Sequence, residues 1–371
     1  MSARRGGRGR GLRLLGLLLA LAAGATPLAA VGPGHGPGDG ALPASLGSRP
    51  PPAAATPTVA ADDVERVVEA ALALAREGDV PGAATLLRRR LDAVGVPAID
   101  RGAWLGARLL LAELQVDLHQ AEAALAGCDA LLRLAPAHAA QIQQVRGRAL
   151  ADDPATLAQA PAAFAAAAAA GGRDPALERD WGLALKNLAD GARRPDRGRD
   201  LSLQAEEHLQ RAVAAAPDDL RARGNLADLL FNRGDYGRAC REYEEVRRQA
   251  PDHPAMLLRL GHTYIKLNLA SEGVALLEAF LAREPTPPAG DAVALAVWRE
   301  TRATALLYLA EARQQQGDAA AALALARRAL ATGESGPGEA ASDGLPRVRR
   351  AAEELLRRLG DAAPASAPVA R

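Results

Sequence analysis

The sequence has few of the residues that build β-sheets, disulfide frameworks and metal sites. Aromatic residues make up 3% of its 371 residues, and the chain contains only two cysteines and six histidines. Alanine is abundant, whereas valine, isoleucine and threonine are sparse. Alanine is the best helix former and the β-branched residues favour strands, so the composition predicts an all-α fold.

The patterns expected of a catalytic or metal site are missing as well. None of the histidines, at positions 35, 119, 138, 208, 253 and 262, has a second histidine at the i+3 or i+4 spacing that places two ligands on one helix face. The glycine-rich stretch at 32–38 lacks the lysine and hydroxyl residue of a phosphate-binding loop. The few serines lie in no strand-to-helix nucleophile turn. We therefore expect no catalysis, no cofactor and no metal.

An excess of charge of one sign is also lacking. The chain carries 45 basic and 44 acidic residues, a formal net charge of +1. Five of the arginines lie within the first 13 residues, and the rest of the chain has 40 basic against 44 acidic residues, a net charge of −4. A slightly acidic body has no electrostatic footprint for nucleic acid, so nucleic acid is not an expected partner.

Residues 1–30 have the features of a secretory signal peptide. Five arginines precede an apolar run at 14–25, which ends in small residues. A membrane-spanning helix needs about 20 apolar residues, and Thr26-Pro27 interrupts this run. Cleavage after Ala25 or Ala30 predicts a periplasmic or secreted protein with no membrane-spanning segment in the mature chain. The alternative is a protein anchored in the membrane through an uncleaved N-terminal segment.

Two further segments have the composition of disordered chain. Residues 31–61 consist largely of proline, glycine and alanine, with almost no large apolar side chain, and residues 360–371 are similar. Such segments cannot bury enough apolar surface to become ordered, which predicts a linker and a disordered tail. Residues 62–359 are left as the folded domain.

Two 34-residue blocks, 220–253 and 254–287, follow one another without a spacer. Their alignment pairs Leu226-Ala227 with Leu260-Gly261, Leu230 with Tyr264, Ala239 with Gly273, Tyr243 with Leu277, and Pro251 with Pro285. This pattern of small, large apolar and proline positions resembles the tetratricopeptide repeat. The resemblance implies a right-handed superhelical solenoid of antiparallel helix pairs. In block 220–253, Gly234-Asp235 is the predicted turn between the two helices.

A single helix pair cannot bury its apolar face, so further copies are expected. They are found near 64–97, 105–138, 177–217 and 303–336, with a degenerate copy at 139–174 whose second helix opens at Pro161. In copy 177–217 an enlarged turn at 190–200 separates the helices. Residues 292–302 are predicted to be an extra helix or a prolonged first helix, and the amphipathic segment 345–359 a capping helix. Cys128 and Cys240 lie on copies three repeats apart, too far for a disulfide, and both are predicted to be buried.

The resemblance also implies a function: a non-enzymatic scaffold that binds a protein or an extended peptide in a concave groove. Together with the signal-peptide pattern, this predicts an exported scaffold, for example one that acts in assembly of an envelope complex. It places the groove side chains near positions 2, 5, 6, 9 and 13 of each first helix. In the two best copies these positions include the predicted binding residues, which are Asn225, Asn232, Arg259, His262 and Lys266.

The ligand predicted from these residues is polar. Arg259 and Lys266 favour a carboxylate or an acidic side chain, but Asp228 in the same cluster partly offsets their positive field and makes a strongly acidic ligand less expected. Asn225 and Arg259 match two positions of the carboxylate clamp of such repeats, but Ala255 stands where that clamp has a lysine. Two alternatives stay open. The chain can be a self-associating structural subunit, or an exported enzyme whose site is not recognisable in the sequence.

Overall fold

A computed structural model describes residues 61–96, 102–251, 253–283, 292–333 and 345–361. The predicted signal peptide, all of the predicted linker except Ala61 and the last ten residues lie outside these ranges. The described chain consists of α-helices and two short 3-10 helices, with no strand among the described residues. The predicted all-α fold is confirmed. None of the described helices is long and apolar enough to cross a membrane.

Fifteen α-helices follow one another along the described chain. They are α1 (Ala61–Glu77), α2 (Val80–Val94), α3 (Gly102–Asp117), α4 (Ala121–Leu134), α5 (Ala139–Asp152), α6 (Ala160–Ala169), α7 (Pro175–Asp190), α8 (Pro195–Ala215), α9 (Leu220–Asn232), α10 (Tyr236–Gln249), α11 (Pro254–Lys266), α12 (Ala270–Arg283), α13 (Ala292–Gln315), α14 (Ala319–Gly333) and α15 (Leu345–Asp361). The last is the predicted capping helix, two residues longer than expected.

The chain divides into two compact units, residues 1–177 and 178–371. In the first, α1 to α5 share one apolar core that includes Leu87, Leu110 and Ile142. In the second, Leu209 and Tyr243 belong to the core around α8 to α11, and further clusters continue it along the later helices. Within each unit the helices therefore bury their apolar faces against one another, as expected for stacked repeats.

Three of the helix pairs turn at the same dipeptide, a glycine followed by an aspartate. The turns are Gly78-Asp79, Gly234-Asp235 and Gly317-Asp318. Each glycine has a φ between 79° and 96°, a region open to glycine at little cost. Each aspartate side chain accepts a hydrogen bond of 2.8–3.2 Å from the backbone N–H three residues later and so caps the second helix. The predicted turn at Gly234-Asp235 is confirmed.

The two helices of a pair approach most closely where the sequence has its small residues. At the crossing of α11 and α12, a Cβ added to Gly273 would lie 2.8 Å from the carbonyl oxygen of Gly261 and 2.8 Å from Cγ1 of Ile265. In the preceding pair, Ala227 and Ala239 occupy the aligned positions and are fully buried. The small residues are therefore required by the distance between the helices.

We expect Gly273→Ala to destabilise the protein, although alanine is normally the better helix residue. The new methyl group meets backbone that cannot move aside without separating the helices, and overpacking of this kind costs about 1–3 kcal/mol. Gly224→Ala, in the middle of α9, is the matched control, because the nearest atom to its added Cβ is Met256 Cε at 4.0 Å. That control should raise the free energy of unfolding by about 0.5–1 kcal/mol. Urea unfolding followed by circular dichroism measures both changes in the free energy of unfolding. Changes of the same sign in the two variants would contradict the close crossing of α11 and α12.

Three local predictions are corrected or resolved. The enlarged turn at 190–200 is short, because α8 already begins at Pro195, where the missing backbone N–H of proline costs no helical hydrogen bond. Residues 292–302 form a prolonged first helix, continuous with the rest of α13. Both cysteines are free, but only Cys128 is fully buried. Cys240 is partly exposed, with its Sγ 3.8 Å from the carboxylate of Glu244.

Candidate functional site

The first helices of three successive copies, α9, α11 and α13, place equivalent residues side by side in the second unit. The sixth residues of the blocks that begin at 220, 254 and 303 are Asn225, Arg259 and Tyr308, and the ninth residues are Asp228, His262 and Glu311. In the structure, the ninth residue of one copy contacts the sixth residue of the next. Asp228 thus pairs with Arg259, and His262 stacks on Tyr308.

Asp228 is the acceptor at the centre of a small polar network. Its Oδ1 accepts hydrogen bonds from Nη1 of Arg259 and from the hydroxyl group of Tyr243. Burial and the Asp228 carboxylate raise the pKa of Tyr243 well above its ordinary value, so the phenol stays protonated and remains a donor. The Arg259 guanidinium is therefore already paired with a carboxylate, while about half of its side chain (48%) is still exposed.

Three rings, from Phe231, His262 and Tyr308, form an aromatic row across α9, α11 and α13. The centroids of the His262 and Tyr308 rings are 3.6 Å apart, and their planes make an angle of 14°. The Phe231 ring is tilted by 49° against His262, at a centroid distance of 4.9 Å. All three side chains are partly exposed. Each first helix thus contributes one ring to a continuous apolar surface.

The imidazole of His262 is neutral at physiological pH. Burial lowers its pKa to about 3, and the nearby charge of Lys266 acts in the same direction. Within the described residues, its Nε2 has no hydrogen-bond partner. Glu311 Oε2 lies 3.9 Å away, beyond hydrogen-bonding distance, and is engaged by Lys266 Nζ at 3.3 Å. His262 consequently acts as a flat ring and not as a cation.

A pocket of about 570 Å³ opens beside the aromatic row. Its lining includes Phe231, Tyr243, Arg259, His262, Phe280 and Tyr308, together with smaller residues of α11 and α13. The chain has only ten Phe, Trp and Tyr residues, and four of them line this one pocket. The volume lies within the range of about 300–1,000 Å³ that is usual for ligand pockets in proteins.

Three of the five residues predicted from the sequence lie together in this lining: Asn232, Arg259 and His262. Asn232 also donates a hydrogen bond of 3.3 Å from Nδ2 to Asp190. The other two predicted residues lie outside the lining. Asn225 is partly buried on α9, and Lys266 forms its ion pair with Glu311.

Two residues of the aromatic row, Phe231 and Tyr308, were not predicted from the sequence. Tyr308 is the sixth residue of block 303–336 and so occupies a position that the repeat resemblance assigns to the groove. Applying that position to the third copy would have identified it. Phe231 is the twelfth residue of its block, next to the groove position of Asn232, and no sequence signal marks it. Among the described residues, no group of three His, Cys, Asp or Glu side chains is arranged to hold a metal ion.

Comparison with protein families identifies repeats in the part of the chain that contains Phe231 and His262 of the aromatic row. The tetratricopeptide repeat family matches residues 202–254 and 230–296, which contain α9 to α12. No curated protein sequence matches the chain.

Several solved structures are similar in fold. One chain in the crystal structure of the APC/C hetero-tetramer Cut9–Hcn1 is 16% identical to this chain. The match has a TM-score of 0.53 and covers 81% of this chain and 52% of the Cut9–Hcn1 chain. A tetratricopeptide repeat protein from Parabacteroides merdae is 14% identical, with a TM-score of 0.48 over 78% and 98% of the two chains. YrrB, described as such a protein with an unusual peptide-binding site, is 22% identical, with a TM-score of 0.39 over 57% and 96%. At 16% identity the likeness to Cut9–Hcn1 concerns the fold alone.

Proposed function

Because the chain is a tetratricopeptide repeat protein, we propose that it is a protein-interaction scaffold that binds an extended peptide segment of a partner protein in the groove of α9, α11 and α13. The observation that carries this proposal is the pocket beside the aromatic row. It combines apolar ring surface with a few polar groups, the usual composition of a site that binds by burial and orients its ligand by hydrogen bonds.

An extended peptide suits this groove better than a compact small molecule. The ring residues and polar side chains lie along the first helices of three successive copies and not around a single closed cavity. A peptide that crosses these helices contacts one copy after another, and its backbone carbonyl groups are acceptors for the amide of Asn232 and the guanidinium of Arg259.

We further propose that this scaffold acts outside the cytoplasm, in the assembly of a complex of the cell envelope. The support is the signal-peptide pattern of residues 1–30. N-terminal sequencing of the mature protein tests the location. A new N-terminus after Ala25 or Ala30 in an exported fraction supports it, and an intact start in the cytoplasmic fraction contradicts it.

Panning of a random peptide library against the full chain tests peptide binding. We expect selected peptides whose affinity falls at least tenfold with Ala255→Trp. Ala255 is exposed and lines the pocket, so a bulky side chain there obstructs the groove without disturbing the core. Gln210→Trp, at an exposed position on α8 outside the pocket lining, is the matched control and should bind like the unmodified chain.

Two results would reject the peptide-binding proposal. One is a library that yields no binder. The other is a set of peptides that binds Ala255→Trp as tightly as the unmodified chain. A concentration-dependent oligomer without peptide binding, measured by light scattering, would favour the self-associating subunit, and substrate turnover by the purified chain would favour the enzyme.

A further inference from the structure

We infer that the groove holds its peptide through one uncharged aromatic side chain, which enters the pocket beside Tyr308, and not through a carboxylate. This inference rests on the proposed function, because it takes for granted that a peptide occupies the groove. It concerns the chemistry of the residue that anchors the peptide.

The charges around the groove are already balanced. Arg259 is paired with Asp228, and Lys266 is paired with Glu311. A ligand carboxylate would have to compete with Asp228 for Arg259, while Asp228 is also held by the Tyr243 hydroxyl. A cationic side chain would have to compete with Arg259 and Lys266 for the same two carboxylates. The pairing therefore removes the advantage for an acidic ligand that the two cations alone would predict.

The surface left over for a ligand is aromatic and uncharged. The rings of the aromatic row are partly exposed, and the low pKa of His262 keeps the middle ring neutral. Aromatic side chains prefer offset-stacked or edge-to-face contacts with other rings, and each buries about 150–250 Å². A pocket of about 570 Å³ has room for one such side chain and part of the backbone on either side of it.

The prolonged part of α13 explains why the pocket occurs at this copy. Thr301 lies within residues 292–302, the segment that precedes the repeat, and it lines the pocket. The added turns therefore supply a wall that the 34-residue pattern alone does not provide. Phe280, only 2% exposed, lines the pocket from α12, the second helix of the previous copy.

Polar groups remain available for the peptide backbone. The Arg259 guanidinium has five N–H donors, and its bond to Asp228 uses a donor of Nη1. Asn232 is exposed and can turn its amide towards a ligand at the cost of a 3.3 Å bond to Asp190. These groups are suited to hydrogen bonds with backbone carbonyls on either side of the anchoring side chain, which gives orientation without a requirement for charge.

Three end-blocked pentapeptides of the form Ala-Ala-X-Ala-Ala, with tryptophan, glutamate or lysine at X, test the inference by NMR titration of the full chain. We expect the tryptophan peptide to bind at least tenfold more tightly than the other two. Its affinity should change less than twofold when NaCl is raised from about 0.05 to 0.5 M, because no charge pair is formed. Tyr308→Ala should weaken its binding at least tenfold, and Tyr308→Phe, which keeps the ring, should not.

Each outcome decides for or against the aromatic anchor. Tighter binding of the glutamate peptide, or an unchanged affinity in Tyr308→Ala, would overturn it. If Ala255→Trp still abolished binding in that case, the groove and the proposed function would stand. If all three peptides bound the Ala255→Trp variant as tightly as the unmodified chain, both the aromatic anchor and the proposed function would be rejected. If Tyr308→Ala does not fold, the ranking of the three peptides and its dependence on Ala255→Trp still decide.

Discussion

Replacing Phe164 by alanine should lower the free energy of unfolding by about 3–5 kcal/mol. Phe164 lies on α6 and is fully buried in the first unit. Its ring packs against α5 at Gly147, where an added Cβ would lie 2.5 Å from Cε1 of the ring. The variant loses the transfer free energy of the ring and leaves a cavity, because the two helices cannot close over the space completely. Urea unfolding followed by circular dichroism measures the loss.

A second substitution distinguishes this contact from a general effect of α6. Gly147→Ala alone should cost about 1–3 kcal/mol, because its methyl group meets the rigid ring. In the Phe164→Ala background the same methyl group enters vacated space, so its cost should shrink or change sign. Costs that add to within about 0.5 kcal/mol would show that the glycine and the ring do not share this space.

The Phe164 prediction concerns the copy that the sequence identifies least well. Residues 139–174 match the repeat pattern poorly, yet α5 and α6 pack as a pair, and α6 begins with Pro161 in its first turn as predicted. In this pair the two helices still cross closely, with one small and one large residue at the crossing, as in the other copies. The residue types and their positions in the block differ. A search for fixed residue types at fixed repeat positions therefore gives a poor match for this copy, although its helix packing is intact.

Most of the fold could be predicted because its determinants are local. The Gly-Asp turns, the small residues at helix crossings and the prolines near helix ends act through backbone conformation and close approach within one copy. The exceptions also have local causes. The turn at 190–200 contains charged and glycine residues that indicate a loop, but Pro195 fits the first turn of a helix equally well, and α8 begins there.

The candidate site could be predicted only in part because its contacts join neighbouring copies. Arg259 and Lys266 have the character of free cations when one block is considered alone. Their carboxylate partners, Asp228 and Glu311, lie on the preceding and the following first helix. Such pairs depend on how the ninth or thirteenth residue of one copy meets a residue of the next, which composition and periodicity do not specify.

Lowering the pH should destabilise the protein through His262, and His262→Phe should remove this part of the pH dependence. The pKa of an unperturbed histidine is about 6.5, whereas burial holds that of His262 at about 3 in the folded chain. Between these values the unfolded chain binds a proton that the folded chain does not bind. Stability from this group is therefore complete above pH 6.5 and is lost as the pH falls towards 3.

The expected size of the loss follows from the pKa difference. Each unit of pH below about 6 costs about 1.4 kcal/mol, so stability should fall by about 2 kcal/mol between pH 6.5 and 4.5. Phenylalanine keeps a ring against Tyr308 and cannot titrate. Because Nε2 of His262 has no hydrogen-bond partner among the described residues, its loss breaks no bond there.

Comparing the unmodified protein with the His262→Phe variant separates the contribution of His262 from those of the other titrating groups. Burial also lowers the pKa of His208, and its contribution is present in both chains, so it cancels in the difference. Urea midpoints measured at intervals between pH 7 and 4.5 give the two curves. Parallel curves would mean that His262 is solvated or protonated in the folded protein, and the aromatic row would then have a cation at its centre. A difference that grows as the pH falls supports a neutral ring, on which both the stacking with Tyr308 and the uncharged character of the groove depend.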